Sequence, residues 1–246
     1  AHLAHRAASY GAALGSFVCS AAAASEAVAQ AEGSPLAVSL IVPSVDGVAD
    51  ALAAGTQLDN LSVVGVEVPL EDHDPAGVAS QVRADGPTIF VEVSASRVTD
   101  GIADRLKRMG LFLKLRTGGM RASAFPSEPD LSAAIAVCVA SELPFKCTAG
   151  LHHAVRHRDP LTGLKHHGFL NVLAAVAAGR TGGAPAVRQA IGEQDGSVIA
   201  AQIRTLTVDQ LSAARAIFRS FGTCSIADPL ADLAALGLAA DPGDPA

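Results

Sequence analysis

The stretch Leu111-Phe-Leu-Lys-Leu-Arg-Thr-Gly-Gly119 decides how this chain is read. It has the form of a short β-strand running into a tight turn. Successive side chains of a strand point to opposite sides, so Lys114 and Arg116 share one face while Leu113 and Leu115 share the other. In a barrel of βα units the outer strand face must be apolar to meet the helices. Ionisable groups then point inward, near the C-terminal ends of the strands, where such barrels carry their active sites.

Six further stretches have the same character: Leu14–Ser20, Leu36–Pro43, Leu61–Pro69, Thr88–Ser94, Pro144–Thr148 and Ile217–Gly222. The first six of the seven strands recur roughly every 22 to 33 residues, the length of one βα unit, which implies a parallel sheet with helices outside. Ser127-Glu-Pro-Asp130 marks a helix start ahead of Leu131–Ala140, and Thr207-Val-Asp-Gln210 has the form of a capping box. The expected fold is α/β, a TIM-like (β/α)8 barrel lacking its first strand in this sequence, as one domain over residues 1–246. Between about 151 and 216 the spacing doubles, which predicts a helical insertion holding a polar loop and a helix over Phe169–Ala178. Ala1–Tyr10 reads as a helix that would follow a strand, so the missing strand is expected before Ala1. The tail Asp241–Ala246 is expected to fray. A doubly wound open sheet is the alternative, against which stands the absence of a G-x-G-x-x-G turn or a Walker-type lysine loop.

Composition narrows the function classes. Half of the 246 residues are hydrophobic and 17% are charged, enough apolar material for a large core. The net charge of -6, with no lysine or arginine block, argues against nucleic acid or an anionic membrane surface as partner. The expected partner is a small molecule bearing a carboxylate or phosphate, and a homo-oligomer is compatible with the sequence. Cys19, Cys138, Cys147 and Cys224 are scattered without C-x-x-C spacing, which reads as reduced thiols and a cytoplasmic location. Every apolar run is interrupted well before 18 residues.

The same parity argument applies to neighbouring strands. It pairs Lys146 with Thr148, aligns Glu92 with Ser94, and groups Gly65, Glu67 and Pro69. Two lysines and two glutamates on one face are costly to desolvate, and apolar replacements usually stabilise a purely structural core as well or better. Lys114, Lys146, Glu67 and Glu92 are therefore the candidate catalytic set, with Arg116 as an anion clamp and Thr148 as a further substrate-binding residue. His152 in Ala149-Gly-Leu-His-His153 is the candidate second acid/base, and His166-His-Gly-Phe-Leu-Asn171 offers further histidines for acid–base or metal work. His157 reads as solvated, and His2, His5 and His73 have no context. The turns Thr117-Gly-Gly119 and Gly222-Thr-Cys-Ser225 place Gly118, Gly119 and Ser225 where backbone N–H groups cradle an anion. Cys224 on the second turn is either a nucleophile or a buried thiol.

The segments Lys114–Gly119, Pro144–His153, His167–Asn171 and Ser220–Ser225 resemble a family of largely uncharacterised actinobacterial α/β-barrel proteins, over most of the chain. In that family a stretch resembling a first strand, with a tyrosine-glycine-leucine-phenylalanine type motif, precedes the point where this chain begins. The resemblance implies a missing first strand and supplies no activity. Two lysines 32 positions apart also look like the arrangement in class I aldolases of the deoxyribose-phosphate type, as a likeness of site rather than kinship.

The residues thus point to a lyase of the aldolase type on an oxo-acid or sugar-derived carbonyl compound. Lys146 forms the Schiff base, Lys114 favours its neutral amine by like-charge repulsion, and Glu92 or Glu67 moves protons, the two lysine roles being exchangeable. No cofactor is expected on this reading. The alternatives are a cofactor-independent isomerase or epimerase, a divalent-metal lyase or hydrolase with Glu67, Glu92 and His152 as ligands, and a non-catalytic ligand-binding barrel.

Overall fold

The structure, a computed structural model, describes residues 2–70, 74–81 and 86–239. Ala1, His73 and the tail from Asp241, on which expectations were placed above, lie outside the described residues. The chain is α/β, with seven of the described strands in one sheet and two short strands in a separate antiparallel pair. All seven stretches read from the sequence contain one of these strands. By its internal contacts the chain divides into two compact units, Ala1–Val93 with Arg105–Lys114, and Ser94–Asp104 with Leu115–Ala246.

The first unit opens with α1 (His2–Ala7), β1 (Phe17–Ser20) and α2 (Ala24–Gln30). β2 (Leu36–Ile41), α3 (Val48–Gly55), β3 (Leu61–Pro69), α4 (Pro75–Ala79) and β4 (Thr88–Glu92) follow. α5 (Asp100–Arg108) and β5 (Phe112–Arg116) are the two elements within which the division falls. Each successive pair from β1 to β5 runs parallel. The alternation expected for two-faced strands holds: Val38, Leu40, Val66, Val68, Ile89, Val91 and Leu113 are all buried on one side. α3 buries Val48, Ala51 and Gly55, one stripe at helical spacing, and packs on β3.

One irregularity matters for the site. Val38 pairs with Val63 but Ser39 pairs with Gly65, so Val64 is an extra residue on β3. A bulge of this kind inverts the alternation of the strand beyond it. Val63 and Val66 both face the helix side, and Gly65, Glu67 and Pro69 fall on the other.

In the second unit β6 (Phe145–Thr148) pairs in parallel with β9 (Phe218–Gly222). α6 (Glu128–Ser141) starts where the sequence signals it, with the Ser127 hydroxyl accepting from Asp130 N. Residues 151–216 contain the β7 (His157–Arg158) and β8 (Lys165–His166) hairpin, then α7 (Phe169–Gly192), α8 (Gly196–Thr205) and α9 (Val208–Ile217). α7 is longer than the helix expected from sequence and is interrupted at Gly183, two residues before Pro185. α9 carries the expected capping box between Thr207 and Gln210. α10 (Ala227–Ala235) closes the described chain. α6 packs along α7, and Leu131, Ile135, Cys138, Val172, Val187 and Ile191 between them are fully buried.

The turns after β5 and β6 are joined at close range. Thr117 N donates to Thr148 O at 2.9 Å, and Thr117 Oγ1 donates to Ala149 O at 2.5 Å. Ala149 and Gly150 both have left-handed backbone, with φ of 59° and 75°. A Cβ on Gly150 would lie 2.8 Å from Thr117 O. Gly150→Ala combines left-handed strain with a backbone clash and is expected to cost about 2 kcal/mol or more in urea unfolding. Gly15→Ala, whose Cβ meets nothing within 4 Å, is expected to stay within about 0.5 kcal/mol of the parent.

Candidate active site

In the first unit, register places the ionisable groups. Pro69 pairs with Glu92 and Glu92 with Lys114, so Glu92 and Lys114 sit side by side and Glu67 lies one pleat back on β3. Lys114 Nζ lies 2.9 Å from Glu67 Oε2 and 2.9 Å from Glu92 Oε2. The ammonium is 3% exposed and the Glu67 side chain is fully buried, whereas Glu92 is 20% exposed and is the member of the triad that reaches solvent. Two close ion pairs compensate a desolvation that neither carboxylate alone would cover. On the same face one pleat below, Phe90 and Phe112 meet edge to face at 5.6 Å and give the triad an apolar floor.

Ser39 completes the arrangement and was not marked by any sequence signal. Its Oγ donates to Glu67 Oε1 at 3.0 Å. That contact needs Gly65, because a Cβ there would lie 2.8 Å from the Ser39 hydroxyl oxygen. It also needs the Val64 bulge, which brings Ser39, Gly65 and Glu67 onto one face. Glu67 is thereby held from both oxygens, and Lys114 sits between two carboxylates. The triad's formal charge is negative, one ammonium against two carboxylates. Lys114 thus finds both of its carboxylate partners within its own unit.

In the second unit Lys146 is 4% exposed on β6, beside Phe145 and Cys147, which are fully buried. Thr148 is half-buried, and Arg116 at the end of β5 is exposed. The adjacent histidines diverge. His153 Nδ1 lies 3.2 Å from Asp232 Oδ2, while the His152 ring faces Thr223 and Cys224. Gly118 and Gly119 serve close packing: their Cβ positions would lie 2.7 Å from Gly150 Cα and 2.9 Å from Ala124 Cβ. The Ser225 hydroxyl accepts from Asp228 N at 3.2 Å near the start of α10.

The histidines of the His166–Asn171 segment take structural positions. His157 is half-buried rather than solvated, in a row of rings with His153 at 4.6 Å and His166 at 5.2 Å, and Phe125 on the far side of His166 at 4.7 Å. Burial, and then His157, hold His166 below the usual imidazole range. His167 is 1% exposed, between Arg156 Nη1 at 3.1 Å from Nδ1 and Pro126 O at 2.9 Å from Nε2. Since arginine only donates, the network assigns His167 a neutral ring with its proton on Nε2. Burial pushes it down to about 4. Arg156 also pairs with Glu128 at 3.3 Å, and its backbone N donates to Asn171 Oδ1 at 2.7 Å. Asn171 Nδ2 donates to Ala190 O and Glu193 O, so the buried amide ties this loop to α7.

Among the described residues no group of three or more His, Cys, Asp or Glu side chains is placed to hold a metal ion. The interval between Glu67 and Glu92 holds the Lys114 ammonium. No described helix is long and apolar enough to cross a membrane.

Two outcomes follow from this geometry. Lys114→Met leaves two carboxylates facing each other and is expected to lower stability by about 3–5 kcal/mol in urea unfolding. In a Glu67→Gln/Glu92→Gln background the same replacement is expected to cost less than half as much. For His167, the unfolded chain binds a proton below about 6.5 that the folded chain takes only near 4. Its contribution is fully present above pH 6.5 and is lost as pH falls towards 4, by on the order of 3 kcal/mol. Unfolding midpoints measured from pH 7.5 down to 4.5 should show this slope in the parent and a flatter one in His167→Gln.

No protein-family model and no curated protein matches this sequence.

Proposed function

We propose that the chain is a small-molecule lyase of the aldolase type, on a TIM-like (β/α)8 plan, acting on an oxo-acid or sugar-derived carbonyl compound. Lys146 is the Schiff-base amine. The observation that carries this reading is the burial of Lys146, 4% exposed on β6. A strand serving only the core would be as stable with an apolar residue there, and buried lysines are the ones that imine chemistry uses. Attack of the amine on the substrate carbonyl releases water and leaves an iminium that draws electrons from the neighbouring carbon–carbon bond. Arg116 and Thr148 take the anionic end of the substrate, Gly118, Gly119 and Ser225 line its approach, and His152 is the acid/base group.

A second reading, a cofactor-independent isomerase or epimerase, is favoured by the triad. Glu92, its solvent-reaching member, is then the base that removes a proton next to a carbonyl. Lys114 beside it is the fixed cation that stabilises the enolate, and Glu67, held by Ser39, keeps that cation in place.

Borohydride reduction in the presence of candidate oxo-acids and sugar phosphates, followed by peptide mass analysis, separates the two. A substrate-dependent adduct on Lys146, lost in Lys146→Met, is the expected result. An adduct on Lys114 exchanges the roles of the lysines. No adduct on either, with substrate protons exchanging in heavy water, replaces the lyase by the isomerase.

A further inference from the structure

The turn that follows β9 brings together three groups that are far apart in sequence. Cys224 Sγ lies 3.8 Å from His152 Nε2 and 3.9 Å from Nδ1, within reach of a weak S–H···N hydrogen bond. Thr223 Oγ1 lies 3.4 Å from His152 Nδ1. The proton positions follow from donor arithmetic. Thr223 O–H donates to Ser225 O at 2.9 Å, so toward the ring the Thr223 oxygen can only accept. His152 then carries its proton on Nδ1, directed at Thr223, which leaves Nε2, 3.8 Å from the thiol sulfur, as the unprotonated ring nitrogen. A nucleophile, a base within reach of it, and a third group orienting the base make up the pattern of an activated thiol.

The other cysteines provide the contrast. Cys138 and Cys147 are buried, and burial pushes the Cys138 thiol up to about 12 and the Cys147 thiol up as well. Burial also raises the partly buried Cys19. Cys224 is exposed and is the thiol with an imidazole beside it. The turn is supported from behind by Phe221, stacked on Phe169 at 4.8 Å and 8°.

We propose that Cys224 is a nucleophilic site for conjugated carbonyl compounds, with His152 as its base and Thr223 as the positioning residue. The thiol proton passes to His152 Nε2, and the sulfur lone pair forms a C–S bond to the β-carbon. The carbon–carbon double bond becomes the enolate, and His152 returns the proton to the α-carbon. The sum is addition of S–H across the double bond, with no leaving group and no oxidant. This site shares His152 with the lysine reading, and its test is distinct because it is read through a thiol adduct and not an amine.

Acrylamide is the probe, at limiting concentration and pH 7, with the rate of modification of each cysteine followed by peptide mass analysis. Cys224 is expected to react first, about tenfold faster than in the same chain unfolded in urea and about tenfold faster than in His152→Gln. The unfolded parent chain supplies a reference that no variant's folding can disturb. Modification of Cys224 in the folded chain at or below the unfolded rate overturns the proposal. So does a folded His152→Gln protein that reacts within threefold of the parent.

Discussion

An ammonium held between two carboxylates with almost no access to water constrains the first unit more than any other interaction in it. The Lys114, Glu67 and Glu92 charges are tolerable only while all three remain in hydrogen-bonding reach, because loss of one leaves the others desolvated and unpaired. That requirement fixes the register of β3, β4 and β5, since a slip of one residue would exchange the ionisable face for the valine face. It also accounts for two residues that carry no chemistry of their own. Ser39 satisfies the second oxygen of Glu67, and Gly65 leaves the room for it.

The second unit secures its polar loop in another way, with neutral and arginine-centred bonds. Arg156, His167 and Asn171 connect the loop to α6 and α7 through donors and acceptors that are nearly all matched, which lets them stay buried. The histidine-rich stretch from His152 to His167 therefore divides by role. His167 holds structure, His153, His157 and His166 form a row of edge and tilted ring contacts, and His152 faces a thiol.

Strand periodicity made most of the architecture legible. Leu113, Leu115, Val91 and Val93 are buried as the alternation required, and Glu67, Lys114 and Lys146 emerged from the same parity count. The helix starts at Ser127 and Thr207 were legible because a capping hydroxyl and its partner lie within three residues of each other. What could not be read depends on contacts between distant positions. Nothing local in Leu36–Ile41 marks Ser39 as a partner of Glu67, and nothing in Gly222–Ser225 shows that His152, some seventy residues earlier, lies beside Cys224. The histidines of the His166–Asn171 segment suggest chemistry from residue type and from their place at the opening of a helix. Burial assigns His167 to the framework instead, a distinction that composition does not carry.

The bulge at Val64 gives β3 a sensitivity to length that its side chains do not show. Val64 is 43% exposed, so its own chemistry is free to drift among many residue types. Its presence as a spacer is not free, because it converts an even step into an odd one between Val63 and Gly65. Deleting it would turn Glu67 towards the helix layer and Val66 towards the charges, a change that no substitution at that position produces. Over evolutionary time the strand is expected to tolerate replacement at residue 64 and to resist gaps there, so that a silent-looking position governs which side of the sheet carries the charges.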